Sequence, residues 1–571
     1  MYKLLRYLLI ATVLLVAYLA ALVAYLVPYA WLVPVAIGIV LLGRRTYRYT
    51  AYGTARWADA ADIPHLLEGG GMILGHIEGK PDKLSAVMAL FNRSLPERDA
   101  CQKFLLAFQR KQPKHLVRLA NAVHTAVFAP TGVGKGVSCV VPFLLTCRDS
   151  CVVVDFKGEN ARLTAQARRK MGHRVVVLDP FRVTTPEPDT FNPFQFIDKE
   201  SATALDDCRD LAEALVVRTG QEREPHWADS AETWIGAMSA MVACFAADGE
   251  RSLQSVRGLL TNPQKMEAAI KLMAESNAWE GMLSRLGHQL TQFKDKELSS
   301  TLTTTNRFLR FLDTIAVAES TKQSSFDPAG LLAGNMTVYL VLPPEHMRAQ
   351  SALLRLWVGS LLRAVVKGGL QEKTKVHFVL DEAASLGHMD ALDDAVDKFR
   401  GYGVRLQLYY QSLGQLKRCW PDGQDQTLLS NTTQVFFGVN DQQTAEYVSN
   451  RLGEETIIVE SGGTSTGTTR QPSQQGVTYS HSTNTSSNWQ QHNRKLLKPE
   501  EVAALPERVA ITFTPGVPPI WTRLVRYYEK GFGLPAGLSP AKLAFDAACL
   551  FLTAAMLAAW FTAAMFHHTF Q

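Results

Sequence analysis

An α/β architecture is predicted for this chain: a parallel sheet covered on both faces by helices, interrupted by an all-helical insertion, with transmembrane helices at the N-terminus and the C-terminus. Three observations predict it. Short β-branched runs at 125–128, 151–154, 175–178, 337–342, 376–380, 405–409 and 435–438 alternate with helical stretches, and continuous apolar strands separated by helices mark a parallel sheet buried on both faces. From 197 to 320 the strand signal disappears and apolar residues recur at helical spacing. Both ends carry uncharged apolar runs long enough to cross a bilayer.

A chain of 571 residues is too long for one ordinary core, so two or more domains are expected. The expected division is 1–50 as an N-terminal membrane hairpin, 51–196 and 323–532 as the two parts of the sheet domain, 197–322 as the helical insertion, and 533–571 as a C-terminal segment. Apolar residues make up 47% and charged residues 20%, with a formal charge of +6. So small a charge permits a local nucleic-acid surface without requiring one. The eight cysteines (Cys101, Cys139, Cys147, Cys151, Cys208, Cys244, Cys419 and Cys549) form no Cys-x-x-Cys pair and mostly sit inside apolar runs. They read as small core residues in a reduced compartment, with no disulfide framework and no structural metal.

The first membrane candidate runs uncharged from Leu8 to Leu42, a stretch of 35 residues. That is long for one crossing and short for two. Pro28 interrupts it, and Tyr25, Tyr29 and Trp31 cluster beside the break, as aromatics do at a membrane boundary. The run therefore reads as a helical hairpin, with Lys3 and Arg6 on one side and Arg44, Arg45 and Arg48 on the other, both facing the cytoplasm. Its length and lack of a small-residue cleavage site exclude a cleavable signal peptide. The second candidate is 547–566, twenty uncharged residues. Alanines at 555, 559 and 563 repeat the spacing that lets membrane helices approach closely. An alanine-rich core helix is the alternative, but nothing polar marks a solvent face.

Residues 461–493 are rich in Ser, Thr, Gly, Gln and Asn, with Arg470 the one formally charged residue. Such a segment forms little core and reads as a mobile surface loop.

The strongest chemical signal is APTGVGKG at 129–136. It follows a strand and opens a helix, the setting a phosphate-binding loop requires. Gly132 and Gly134 let the backbone turn tightly and aim its N–H groups at phosphate oxygens, Lys135 reaches the β- and γ-phosphates, and the helix adds its positive end. The nucleotide site is expected to comprise Pro130, Thr131, Gly132, Val133, Gly134, Lys135, Gly136 and Val137, with ATP and Mg2+ as ligands. Two positions depart from the standard pattern: Ala129 stands for the first glycine, and Gly136 for the Ser or Thr that holds magnesium.

Hydrolysis also needs an acid at the end of a buried strand. Asp155, Asp179 and Asp381 each end one, and of the three Asp381 is followed by a second acid, Glu382. That pair supplies both roles: Asp381 holds magnesium, directly or through water, and Glu382 activates the attacking water. Asp155 and Asp179 read as caps of the loops that follow. Arg400, Arg405 and Gln411 lie near the next strand; an arginine aimed at a neighbour's γ-phosphate stabilises transition-state charge, and a strand-end glutamine can sense that phosphate.

Weaker clusters fall to simpler explanations. Between Asp99 and Asp149 there is no acid, while Lys103, Arg110, Lys111, Lys114, Arg118, Lys135 and Arg148 fall there; a phosphate-tracking patch competes with a solvated basic face. EPHWADSAE, from Glu224 to Glu232, has too few ligands for a metal and reads as a capped helix start.

Taken in order, APTGVGKG, VVDFKGEN (153–160), FNPF (191–194), HWADSA (226–231), VLDEAASLG (379–387), RGYGVRLQLYYQSLGQL (400–416), FFGVND (436–441) and RKLLKPEEV (494–502) resemble the successive motifs of type IV secretion coupling proteins of the TraG/TraD class. The resemblance covers about 54–528. It implies a RecA-like motor domain with an all-helical insertion, assembled as a homo-oligomeric ring, a hexamer, in the bacterial inner membrane, multi-pass, with the motor in the cytoplasm. It implies partners: a relaxase with single-stranded DNA or a protein effector, and the type IV secretion channel. Residue by residue, the family's lysine, magnesium aspartate, catalytic glutamate, arginine finger and sensor glutamine fall on Lys135, Asp381, Glu382, Arg400 and Gln411. A glycine after the lysine is familiar there. Family members end in a soluble, often acidic tail, so the C-terminal membrane candidate is a departure and the tail's docking role is not carried over.

The expected function is therefore ATP-driven coupling of conjugative DNA transfer to a secretion channel. The rival readings are a receptor ATPase that recruits protein effectors, and a double-strand DNA pump of the chromosome-partitioning kind, against which the helical insertion and the motif order argue.

Overall fold

The computed structural model describes residues 2–26 and 50–529, less 68, 79–82, 93–95, 98–99, 102–103, 106–113, 120–122, 219–223, 422 and 474–475. Thirteen strands are described. They are β1 (Met72–Glu78), β2 (Lys114–Leu119), β3 (His124–Phe128), β4 (Ser150–Asp155), β5 (Arg174–Leu178), β6 (Met336–Val341), β7 (Val376–Leu380), β8 (Val404–Tyr410), β9 (Thr432–Phe437), β10 (Glu454–Ser473), β11 (Gly476–Lys495), β12 (Val509–Phe513) and β13 (Ile520–Arg523).

Eleven of these form one sheet in the order β2-β1-β13-β12-β9-β3-β8-β7-β4-β6-β5. The run from β9 to β5 is parallel throughout, and these seven strands are the ones predicted, each within three residues of its expected ends. The reason lies in their side chains, which feed two separate cores on opposite faces. Along β4, Val152 and Val154 join one cluster and Cys151 and Val153 the other. Along β3, Ala126 and Phe128 join the first and Val127 the second. A strand apolar on both faces has no solvent side to alternate towards.

Beyond β9 the sheet continues as an antiparallel flank of β12, β13, β1 and β2, which the sequence did not announce. Helices alone fill the described residues between β5 and β6: Ala204–Leu215, His226–Phe245, Leu253–Thr261, Pro263–Ala274, Met282–Leu290, Asp295–Leu309 and Ile315–Ser320, with short 3-10 turns. Their interior residues Trp234, Leu260 and Leu309 belong to the same cluster as Val152 of the sheet, so the helical segment is packed onto one face rather than hung from it. At the start of His226–Phe245 the expected side-chain cap is absent. Pro225 occupies that position and offers no side-chain acceptor; Arg218 instead binds Asp229 at 2.9 Å and Glu232 at 2.5 Å.

The expected mobile loop at 461–493 is instead an ordered ribbon. β10 and β11 pair antiparallel from Glu454↔Lys495 to Ser473↔Gly476. The segment is too polar to form a core, and its described side chains from Ser461 to Thr468 are exposed. Pairing needs no core, however, only backbone groups and residues such as Thr that tolerate extended conformations. The ribbon is fixed at its base, where Tyr52 and Gly53 donate backbone N–H groups to Thr456 Oγ1 at 2.9 and 3.1 Å. A Cβ on Gly53 would stand 2.1 Å from the Glu454 carbonyl oxygen, so this approach requires glycine.

A continuous helix, Tyr2–Leu26, covers the first arm of the expected membrane hairpin; the second arm and the candidate 547–566 lie outside the described residues. Leu9 on this helix is buried against Leu90, Cys101, Phe104 and Leu105. Among the described residues one helix, Pro344–Lys367, is long and apolar enough to cross a membrane, and 61% of its apolar window is buried inside the protein. Leu353, Trp357 and Leu361 on it join the sheet core, so it is a core helix. Seven cysteines are described, all as free thiols.

Candidate nucleotide site

The loop after β3 begins with Ala129, fully buried, whose N–H donates to the Tyr410 carbonyl at 3.0 Å and so ties the loop to the end of β8. Gly132 and Gly134 have φ of +92° and +99°, a region that side chains strongly disfavour. Val133 between them rests on Gly438, where a Cβ would meet Val133 Cγ1 at 2.7 Å. Gly136 differs: a Cβ there would touch nothing within 4 Å. Packing therefore does not explain the missing hydroxyl at that position.

The helix that follows opens as a π turn over Gly136–Val140, with Val141 N–H bonded to Gly136 O, and continues as Val141–Thr146 with Pro142 in its first turn. Pro142 has no N–H to give, so the Val137 carbonyl turns to Tyr527, whose N–H donates to it at 3.1 Å. This bond fixes the segment after β13 beside the phosphate loop. There Arg526 Nη2 lies 3.9 Å from where a Cβ on Gly134 would be, and Arg526 Nη1 donates to the Tyr528 hydroxyl at 2.9 Å. No motif or spacing in the sequence connects Arg526 with the loop.

Lys135, 8% exposed, points its ammonium at the Ala129 carbonyl at 3.0 Å and at Glu382 Oε1 at 3.5 Å. Asp381 and Glu382 follow β7, two strands from β3. Burial pushes the Asp381 carboxyl up to about 6, the Lys135 charge opposing and Glu382 reinforcing the shift. Glu382 has φ of +63°, a conformation that costs a non-glycine residue energy and tends to persist at functional sites. Gln411, just past β8, donates its amide to Glu382 Oε1 at 3.3 Å and Oε2 at 3.1 Å.

Lys135, Asp381, Glu382 and Gln411 thus gather at the C-terminal ends of three adjacent parallel strands, where open α/β sheets bind ligands. The lysine ammonium and glutamine amide share one carboxylate, in a setting fit for a polyphosphate and a hard cation.

Arg400 does not join them. It is exposed in the 3-10 turn Phe399–Tyr402 ahead of β8. A seven-residue strand, about 23 Å long, separates it from Gln411. The two other strand-end acids are occupied locally. Asp155 accepts from Ala161 N–H at 2.8 Å, and Asp179 from Val183 N–H at 3.0 Å and Thr184 N–H at 2.6 Å. Of the basic stretch, Lys103, Arg110 and Lys111 lie outside the described residues, while Arg118 sits on β2, its pKa lowered by burial.

This chain is similar to known proteins in family, sequence and fold. The family model described as type IV secretory system conjugative DNA transfer matches residues 56–556. The conjugal transfer protein TraG of Rhizobium radiobacter is 29% identical over 407 residues, 70% of this chain and 61% of that protein. The type IV secretion system-coupling protein VirD4 of Bartonella quintana is 27% identical over 420 residues, 72% of this chain and 63% of that protein. The match thus spans about three fifths of these relatives' length. Among solved structures, the plasmid coupling protein TrwB with a non-hydrolysable ATP analogue is similar with a TM-score of 0.53 and 19% identity, covering 71% of this chain and 85% of TrwB. TrwB with ADP and Mg2+ gives 0.50 and 17% over the same shares. At these identities the likeness concerns the fold. With a family match across most of its length, the chain belongs to the type IV secretory conjugative DNA transfer family.

Proposed function

We propose that this chain is an ATP-hydrolysing coupling protein that recruits a relaxase–DNA complex and delivers or pumps it to a type IV secretion channel. The observation that carries the reading is the convergence of Lys135, Asp381, Glu382 and Gln411. Relatives named conjugal transfer and coupling proteins support it, as does a similar fold seen with an ATP analogue and with ADP and Mg2+.

In this reading residues 130–137 hold the phosphates, with Lys135 on the β- and γ-groups. Asp381 holds Mg2+, which when bound neutralises charge on the phosphate oxygens. The adjacent carboxylates suit a hard, oxygen-seeking cation, to which Gly136 would offer no side-chain ligand. Glu382 is the general base, and Gln411 holds its carboxylate at the strand end. Arg400, too far from its own loop, acts on the nucleotide of a neighbouring copy. That role requires a ring, which we take to be a hexamer.

Residues 51–196 and 323–532 form the motor, 197–322 the helical domain that meets cargo, and 1–50 with 547–566 the anchors in the bacterial inner membrane. The motor then lies in the cytoplasm.

ATP turnover by the purified full chain, with and without single-stranded DNA, tests this. Stimulation by DNA is expected. Stimulation confined to a partner protein would favour an effector receptor, and no turnover under either condition would remove the motor.

A further inference from the structure

We propose that Arg526 is a nucleotide-binding residue that reaches the phosphate loop from the side opposite the Asp381–Glu382 pair and binds the α- and β-phosphates of a nucleoside di- or triphosphate. The inference rests on the nucleotide reading of the 129–137 loop.

Three observations carry it. Arg526 is held in place by its neighbour, because Tyr527 N–H occupies the Val137 carbonyl that Pro142 leaves free. Its guanidinium is aimed: Nη2 stands 3.9 Å from the Cβ position of Gly134, and the Tyr528 hydroxyl accepts from Nη1 at 2.9 Å. One of its N–H groups also lacks an acceptor. Nε is buried without a hydrogen-bond partner, and no carboxylate among the described residues lies within ion-pair distance of it. The nearby carboxylate of Glu529 binds Arg508 at 2.7 Å and accepts from the Arg526 backbone N–H at 3.3 Å.

A buried arginine N–H left without an acceptor is unfavourable. Beside a phosphate-binding loop, the acceptor that the Nη2 end of the planar guanidinium suits is a phosphate oxygen.

The sheet order sets which phosphates. β13, which leads into Arg526, lies on one side of β3, while β8 and β7, which carry Gln411 and Asp381–Glu382, lie on the other. The reacting γ-phosphate belongs with the acids. Arg526 therefore faces the α and β end, which ADP and ATP share.

Binding of a fluorescent ADP analogue and the corresponding ATP analogue to the purified full chain tests this. Arg526→Gln should weaken both by a similar factor, about tenfold for the loss of one charged contact, with Arg526→Lys in between. An Arg526→Gln chain that unfolds at the wild-type temperature without nucleotide, yet binds ADP as tightly as wild type, would overturn the role. Should that variant fold poorly, wild-type protein decides: phenylglyoxal modification of Arg526, read by peptide mass, should be blocked by saturating ADP, and equal modification with and without ADP overturns the proposal. The parent reading is scored separately. If wild type binds no ADP, the nucleotide site itself falls; if wild type binds, Lys135→Ala does not and Arg526→Gln binds normally, this inference alone falls.

Discussion

Gln411 and Glu382 meet across the ends of two adjacent strands, the glutamine amide lying 3.1 Å from Glu382 Oε2 and 3.3 Å from Oε1. Lys135 reaches Oε1 of the same carboxylate at 3.5 Å. Glu382 is thus the point at which three strands report to one another, and it holds a left-handed backbone to do so. If it is the general base, Glu382→Gln should keep nucleotide affinity and lose turnover by a factor of about 10²–10⁴. Gln411→Ala should lower kcat more than it raises KM, because it removes a group that orients the base. Lys135→Ala should lose binding outright. Normal turnover by Glu382→Gln would assign the base elsewhere.

A second expectation concerns a carboxyl away from the nucleotide. Glu213 lines a cavity of about 430 Å3 between the helices Ala204–Leu215 and Pro344–Lys367, together with Asp206, Asp210 and Asp390. Burial, then the charges of Asp390 and Glu232, push it up from 4.5 to about 7, while Arg355 and Arg218 pull it down. The folded state therefore prefers the protonated acid. The resulting stability is fully present below about pH 4.5 and is lost as pH rises through about 7. A shift of that size corresponds to at most about 3 kcal/mol, and partial exposure screens it to about 1 kcal/mol. Glu213→Gln mimics the protonated acid, so it should raise the unfolding midpoint of the full chain at pH 8 by about 1–2 °C, with the gain fading by pH 5. An equal gain at both pH values would point to packing instead of ionisation.

How much of this was legible in the sequence depends on what each segment buries. The seven parallel strands were readable because both faces are apolar, which leaves runs such as Val152–Val153–Val154 that little else produces. The flank was not readable. β13 is four residues long, β1 is broken by a register shift at Gly75, and β2 lies within a basic stretch. The ribbon was not legible because its strands bury little and so carry no apolar alternation. The lysine, the acid pair and the glutamine were legible as strand-end residues in motifs. Arg526 was not, since its proximity to Gly134 exists only after β13 has taken its place in the sheet.

The ribbon gives a third prediction. Its ladder is continuous, yet the described side chains beyond the base are exposed, and an isolated two-stranded ribbon is marginal in water. Replacing 462–487 by a two-residue turn between the paired residues Ser461 and Asn488 should change folding stability by no more than about 0.5 kcal/mol. Gly53→Ala, at the anchored base, should cost more, since its Cβ would stand 2.1 Å from the Glu454 oxygen. If the shortened chain unfolds at a clearly lower temperature, the ribbon packs against something that holds the fold together.

The last prediction follows from where Arg400 stands. It precedes β8, whereas Gln411 and the phosphate loop lie at the opposite ends of the parallel strands. At about 3.3 Å per residue, the strand keeps Arg400 about 23 Å from Gln411 and its own loop, far beyond the reach of an arginine side chain. Any part it plays in phosphoryl transfer is therefore played on another copy. Arg400→Ala should lose turnover while binding nucleotide normally, whereas Lys135→Ala should lose binding. Neither variant is active alone, but each carries the half the other lacks. Mixed assemblies would contain interfaces with an intact loop on one subunit and an intact arginine on the next. ATPase activity should therefore reappear on mixing and peak at intermediate ratios, with arginine fingers worth about 10³–10⁵ in rate where measured. A third variant controls for exchange: Glu382→Gln shares its site with Lys135, so mixing those two creates no complete interface and should restore nothing. Recovery in that control, or none with Arg400→Ala in assemblies shown to contain both chains, would take Arg400 out of the transfer step.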